Sequence, residues 1–272
     1  MPFAEVNDQR IHYEVEGEGE PLICIAGLGA DALSWSFQVP EWSKHFRTVV
    51  FDNRDAGQSS AAEGDYEIAD MAEDALGLAD HLELERFHVL GASMGGAIAQ
   101  ELALGWPDRV ATLTLCVTWA GSGEWGREFS RLWAGQVERT PFEEHVDNLL
   151  RLTLSEQYFE SSDEVDALRR MALDNPYPQS NEAFRRQLGC MGRHEARGRL
   201  PALSLPVHVI GAEQDILVPV WKSREIAALV PGATLTVIEG AAHGLNFERA
   251  DELSARVLDF LQAHAAAAPA PV

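Results

Sequence analysis

Lysine is almost missing from this chain, occurring only as Lys44 and Lys222, and acidic residues outnumber basic ones 43 to 21. The formal charge of −22 at pH 7 argues against nucleic acid and against anionic membrane surfaces as partners, since both would be repelled. Cysteine is scarce as well. Cys24, Cys116 and Cys190 are odd in number and widely spaced, so a reduced, cytoplasmic protein is expected rather than a disulfide framework. No apolar run reaches the ~20 residues that a membrane-spanning helix needs. The opening MPFAEVNDQR has neither a basic start nor an apolar core, so no secretory signal is expected. No His/Asp cluster has ligand spacing, which implies neither a metal nor any other cofactor. No internal repeat is evident.

What remains is a chain of 272 residues, 46% hydrophobic and 24% charged, the composition of a soluble globular protein. That length fits one large α/β domain or two ordinary ones. Residues 3–7 and 10–16 pattern as a hairpin around the polar Asn7–Gln9. Continuous apolar runs at 21–27 and 47–52 read as strands covered on both faces, with a helix expected over 33–45 between them. A helix over 67–82, a strand over 86–92, a helix over 94–104 and a strand over 110–118 follow. From about residue 121 to 198 the pattern turns helical, broken at Pro176 and Pro178. Strand, helix, strand and helix then resume at 206–212, 220–230, 234–240 and 250–263. Alternation of this kind predicts a mainly parallel sheet with helices on both faces, residues 1–120 and 199–264 forming its two parts. The helical stretch 121–198 reads as a cap over the strand ends, where such sheets keep their ligand sites. A separate interaction module is the other reading of that stretch. The tail 265–272, AAAAPAPV, lacks apolar periodicity and is expected to be disordered.

One short stretch points to chemistry. Gly91-Ala92-Ser93-Met94-Gly95-Gly96 ends the strand at 86–92 and opens a helix. The pattern G-x-S-x-G has a mechanical reason: a serine on a very tight strand-to-helix turn stands clear of the sheet, and side chains beside it would collide. The helix N-terminus below it favours developing negative charge. The pattern alone is weak, because chance supplies it often; its place on the third strand of the parallel series makes it informative.

With these residues the sequence resembles the α/β-hydrolase fold family over residues 3 to 264, closest to its small serine esterase and 3-oxoadipate enol-lactonase-like branch. The resemblance implies a nucleophile, acid and histidine in that chain order. Asp215 in GAEQDILVP matches the family's D-x-x-x-P loop after a late strand, with Glu213 as the neighbouring competitor. His243 in EGAAHGLNFE follows the last strand and would be the base. The implied oxyanion donors are the backbone N–H groups of Leu28 and Met94, although the loop begins Ala26-Gly27 where many relatives have His-Gly. Asp52 to Ser60, FDNRDAGQSS, is similar to the family's D-x-R-G-x-G-x-S, with Asp55 in place of a glycine; it reads as architectural, Asp52 and Arg54 bracing loops and Gly57 making a turn.

Serine at the elbow excludes the relatives that carry aspartate there. The resemblance therefore implies an ester hydrolase acting on a small ester or lactone, with enol-lactonase, carbon–carbon bond hydrolase and cofactor-free perhydrolase as alternatives. A non-catalytic receptor of the same fold is the competing class, but such proteins commonly lose a triad member, and here all three are present. Trp35, Trp119, Trp125 and Trp133 either line an apolar substrate pocket or pack in the core. Arg127, Arg131 and Arg139 are candidate cations for an acidic substrate, or solvated helix-face residues. His88 reads as core or surface. The apolar cap predicts uncharged acyl groups of short to medium length, and a homodimer is compatible with the pattern.

Overall fold

The structure, a computed structural model, describes residues 2–265. Apart from Ala265, the expected tail lies outside the described residues. Eight strands form one sheet: β1 (Phe3–Val6), β2 (Gln9–Glu16), β3 (Pro21–Ile25), β4 (Arg47–Phe51), β5 (Phe87–Ala92), β6 (Val110–Cys116), β7 (Val207–Ala212) and β8 (Thr234–Ile238). Their spatial order is β1-β2-β4-β3-β5-β6-β7-β8. The β1–β2 and β2–β4 pairs are antiparallel and the rest parallel. Asn7 and Asp8 both take left-handed φ, 48° and 60°, as a tight two-residue hairpin turn requires. β3, β4 and β5 are buried almost throughout, which explains runs with no polar alternation.

The helices are α1 (Val39–Trp42), α2 (Ile68–His81), α3 (Met94–Gly105), α4 (Gly123–Val137), α5 (Phe142–Thr153), α6 (Glu156–Phe159), α7 (Ser162–Leu173), α8 (Asn181–Arg193), α9 (Trp221–Leu229), α10 (Leu245–Glu248) and α11 (Ala250–His264). One apolar core, including Met71, Leu78, Ile98 and Leu102, packs α2 and α3 on one face of the sheet. A second, including Trp35, Trp42, Leu253 and Leu261, packs α1 and α11 on the other. α4 to α8 fall between β6 and β7.

Two expectations need correction. The helix over 33–45 is only a 3-10 turn at Ala32–Trp35 and the single turn α1. Pro40 has no N–H to donate to the preceding turn and its ring crowds that turn. β6 stops at Cys116 rather than continuing to residue 118, because Val117 turns out of the strand with φ 42°, a conformation a β-branched residue adopts only under strain.

The helical insertion is tied to the loop after β4. Arg186 of α8 forks onto Asp55, Nη2 to Oδ1 at 2.7 Å and Nε to Oδ2 at 2.8 Å. The same carboxylate accepts from the Tyr66 hydroxyl and the Ala62 N–H, both at 2.9 Å. Gln187 donates to the Arg54 carbonyl at 3.0 Å. Asp55 stands at φ 69° where the family pattern has glycine, and this network accounts for the departure: the side chain that strains the backbone is the one that holds the insertion.

Candidate active site

Ser93 leaves β5 at φ 54°, ψ −118° and starts α3. Left-handed φ at a non-glycine residue costs on the order of 1–3 kcal/mol and persists where the surroundings enforce it. Here they do. A Cβ on Gly91 would run into the Gly95 carbonyl, and one on Gly95 into the Ile25 carbonyl. Thr118 Oγ1 donates to the Ser93 carbonyl at 2.7 Å, fixing the turn from the neighbouring strand end.

Ser93 Oγ lies 3.0 Å from His243 Nε2, and His243 Nδ1 lies 2.7 Å from Asp215 Oδ2. Because the carboxylate can only accept, Nδ1 carries the proton and Nε2 is left to accept from the serine hydroxyl. Asp215 Oδ1 is occupied separately, accepting the N–H groups of Leu217 and Val218 at 2.9 and 2.8 Å. Glu213 is exposed and accepts from the Gly240 N–H at 2.9 Å, away from the imidazole. The structure thus brings Asp215, not Glu213, to His243.

The loop bearing His243 is held by the buried Glu248, which accepts the Ala242 N–H at one oxygen and the Ser155 N–H at the other, the latter at 3.0 Å. That single carboxylate fastens the histidine loop to the N-terminus of α6. The Leu28 and Met94 N–H groups have no hydrogen-bond acceptor among the described residues. Leu28 lines the cavity beside Ser93, and Met94 supplies the first N–H of α3.

Ser93 and His243 open into a cavity of about 290 Å³. Its wall includes Trp35, Trp119, Trp125 and Trp133, so all four tryptophans reach it, though differently. Trp35 and Trp119 are buried, Trp119 donating from Nε1 to Ser122 Oγ at 3.0 Å. Trp125 is 65% exposed and stacks on Phe129 with ring centroids 5.2 Å apart. Trp133 meets Phe184 edge-on at 5.6 Å.

Of the two readings of the cap arginines, the structure matches exposed surface residues. Arg127 and Arg131 pair with Glu124 and Glu128 one turn away on α4, Arg139 donates to the Gly135 carbonyl at 3.0 Å, and none of the three lines this cavity. Among the described residues the lysine in its wall is Lys222, which the sequence reading passed over; its position three residues after Pro219 of the acid loop was the available signal. Phe129, Val146, Leu149, Met191 and Phe247 also line the cavity and were not singled out, since helical apolar residues point equally to a core.

The architectural readings are matched by what the side chains touch. Asp52 accepts from the Ala32 and Gln58 N–H groups, both at 2.8 Å, and contacts His12 Nδ1 at 3.0 Å. Arg54 grips Asp74 at 2.6 and 2.7 Å. Gly57 sits at φ 51°, where a Cβ would strike the Asp52 carboxylate. His88 is buried between Thr112 and Glu20 at 2.8 and 3.1 Å. Among the described residues there is no group of His, Cys, Asp or Glu arranged to hold a metal ion, and no helix is long and apolar enough to cross a membrane.

A family model described as alpha/beta hydrolase fold matches residues 20–250. A Mycobacterium tuberculosis protein named as a non-heme bromoperoxidase, BpoC, is 31% identical over 91% of this chain and 96% of its own. An Agrobacterium fabrum protein named as a carbamate hydrolase, RutD, is 27% identical over 92% of this chain and 98% of its own. The solved enol-lactonase of Burkholderia xenovorans LB400 superposes with a TM-score of 0.88 at 30% identity, covering 96% of this chain and all of the other.

Proposed function

The chain belongs to the alpha/beta hydrolase fold family, and from that premise we propose that it is a serine hydrolase of carboxylic esters or lactones, with Ser93 as nucleophile, His243 as base and Asp215 as its orienting acid. The observation that carries this reading is the unbroken relay from Ser93 Oγ through the imidazole to the Asp215 carboxylate, at 3.0 and 2.7 Å, on a serine displayed at the wall of a cavity. The similarity to an enol-lactonase supports a lactone or ester carbonyl as the reacting group.

A serine hydroxyl is a weak nucleophile at neutral pH. As Oγ attacks the carbonyl carbon, its proton passes to His243 Nε2, and the imidazolium that forms is stabilised by Asp215. The carbonyl oxygen becomes an oxyanion facing the Leu28 and Met94 N–H groups; losing one such donor typically costs ~10²–10³ in rate. Collapse expels the alcohol oxygen, which takes the proton from Nε2 and leaves an acyl-serine. Water then repeats the sequence, with His243 as base, and releases the acid. In a lactone the expelled oxygen stays tethered to the acyl group, so one hydroxy acid is the product. The helical insertion, whose α4 and α5 line the cavity, would act as a cap choosing the acyl and alcohol groups.

Treatment with a fluorophosphonate should add one phosphonyl group, on Ser93, and a panel of p-nitrophenyl esters, lactones and carbamates should show turnover of the first two. A protein that stays unlabelled and turns over none of them would refute the assignment.

A further inference from the structure

Ser93 is held from the end of β6 on both of its backbone groups. Its N–H donates to the Cys116 carbonyl at 2.9 Å, and its carbonyl accepts from Thr118 Oγ1 at 2.7 Å. Between these two residues lies Val117, whose φ of 42° is a strained value for a β-branched side chain. The Val117 N–H donates in turn to the Ile210 carbonyl of β7 at 2.8 Å. Strain of this kind persists where the surroundings enforce it, and it gathers at functional sites. Thr118 is fully buried and packs on the first turn of α3. A Cβ on Gly96 would lie 2.5 Å from Thr118 Cβ and 2.7 Å from its Oγ1. The G-x-S-x-G pattern accounts for Gly91 and Gly95 but not for Gly96; the close approach of Thr118 does.

The carbonyl that Thr118 holds belongs to the same peptide as the Met94 N–H. It is directed into α3, where it also accepts from the Gly96 and Ala97 N–H groups at 3.0 and 3.3 Å. In a trans peptide the N–H points opposite to the C=O, so the Met94 N–H points out of the N-terminal end of α3, the end that carries Ser93. The two helical donors move with α3. The Thr118 hydroxyl is the one donor of the three that comes from another element, and it fixes the tilt of this peptide against the sheet. A hydrogen bond at the carbonyl also polarises the amide and strengthens its N–H as a donor.

We propose that Thr118 is a positioning residue for the oxyanion: its hydroxyl sets the tilt and the polarity of the Ser93–Met94 peptide, so that the Met94 N–H is ready for the negative oxygen when it forms. This rests on the serine-hydrolase reading above. Thr118 is not among the residues that line the cavity, so it acts on the reaction through that peptide. The oxyanion exists in the transition state and the tetrahedral intermediate and not in the bound ester, so a disturbed donor lowers turnover without weakening ground-state binding.

The test sets T118V, which keeps the shape and removes the hydroxyl, against T118S, which keeps the hydroxyl. With a p-nitrophenyl ester, kcat/KM of T118V should fall ~10-fold, the net contribution of one neutral hydrogen bond, and T118S should stay near the wild type. The deciding readout is a trifluoromethyl ketone inhibitor. Ser93 Oγ bonds to its carbonyl carbon, the C=O becomes C–O⁻, and the serine proton passes to His243 Nε2, giving a stable copy of the tetrahedral intermediate. Its affinity should weaken in T118V by the same factor as kcat/KM, whereas the corresponding alcohol, which forms no adduct, should bind unchanged. The pH midpoint of kcat/KM should also stay in place, because His243 is untouched. T118A repeats the comparison where T118V does not fold. Ketone affinity at the wild-type level in T118V, equal weakening of ketone and alcohol, a shifted pH midpoint, or T118S as impaired as T118V each overturns the role of Thr118 and leaves the hydrolase reading in place. Failure of a fluorophosphonate to label Ser93 in the wild type overturns both.

Discussion

Replacing Asp215 by asparagine tests the relay at the point where the geometry makes the sharpest demand. The substitution keeps size and shape, so the loop survives, but one of the two terminal atoms becomes an amide nitrogen. Asp215 Oδ1 accepts from the Leu217 and Val218 N–H groups at 2.9 and 2.8 Å; a nitrogen there would face two donors with nothing to accept them. The asparagine must therefore keep its oxygen toward those N–H groups and turn its NH₂ toward His243 Nδ1, which now lies 2.7 Å from a carboxylate oxygen. An NH₂ donates, so Nδ1 must become the acceptor and the ring proton moves to Nε2. At 3.0 Å from Ser93 Oγ that nitrogen would then donate to the serine rather than take its proton. The loss comprises the base itself and the charge that stabilises the imidazolium, and in the serine-triad template it amounts to ~10⁴ in kcat. The assay is steady-state hydrolysis of a p-nitrophenyl ester, with thermal unfolding to show an intact fold and Glu213→Gln as the comparison. Glu213 is exposed and bonds only the Gly240 N–H by its side chain, so its variant should stay within a few-fold of the wild type. Activity of Asp215→Asn above about a tenth of wild type, or a larger loss in Glu213→Gln, would refute the orientation argument.

Ser93→Ala should abolish ester hydrolysis and fluorophosphonate labelling while leaving the fold intact, and adding His243→Ala should cost little more, because the members act as a unit; a further large drop in the double variant would contradict this. Phe129→Ala and Trp133→Ala, which enlarge the α4 wall of the cavity, should change the ranking of ester chain lengths mainly through KM, and an unchanged ranking would remove the insertion from substrate choice. His208 in β7 is buried, with Nδ1 unpartnered among the described residues and Nε2 2.9 Å from Thr236 Oγ1; burial, with Arg256 nearby, pushes its pKa down to about 4. The unfolded chain, with an ordinary value near ~6.5, takes up this proton first, so the contribution is complete above about 6.5 and is lost as pH falls toward about 4. His208→Gln should flatten the decline of the unfolding temperature across that window; an identical slope would show that His208 is not the group responsible.

Much of this protein was legible in the amino-acid sequence because the deciding interactions there are local. The elbow spans Gly91 to Gly95, and its strain and its glycine requirement arise within one turn of chain and the strand beside it. The buried strands announce themselves by largely apolar runs, since a strand covered on both faces has few positions for a polar residue, and those it holds, such as His88 and His208, are hydrogen-bonded there. The proposed acid and base were singled out by the order and spacing of a known fold, not by any property of Asp215 or His243 alone. The helix expected over 33–45 failed for a local reason too, Pro40 interrupting its hydrogen bonds. What the sequence left open depends on which face of a helix meets which loop. Arg127, Arg131 and Arg139 carry the same charge as Lys222, yet α4 and the turn after it leave them exposed and engaged with the helix's own glutamates and backbone, while Lys222, at the start of α9, stands in the cavity wall. Asp55 looked like a departure from a pattern until Arg186, 131 residues away, closed on it. Such pairings are set by the packing of whole elements, where burial of apolar stripes fixes orientation and polar side chains find their partners only afterwards, so tertiary structure alone decides them.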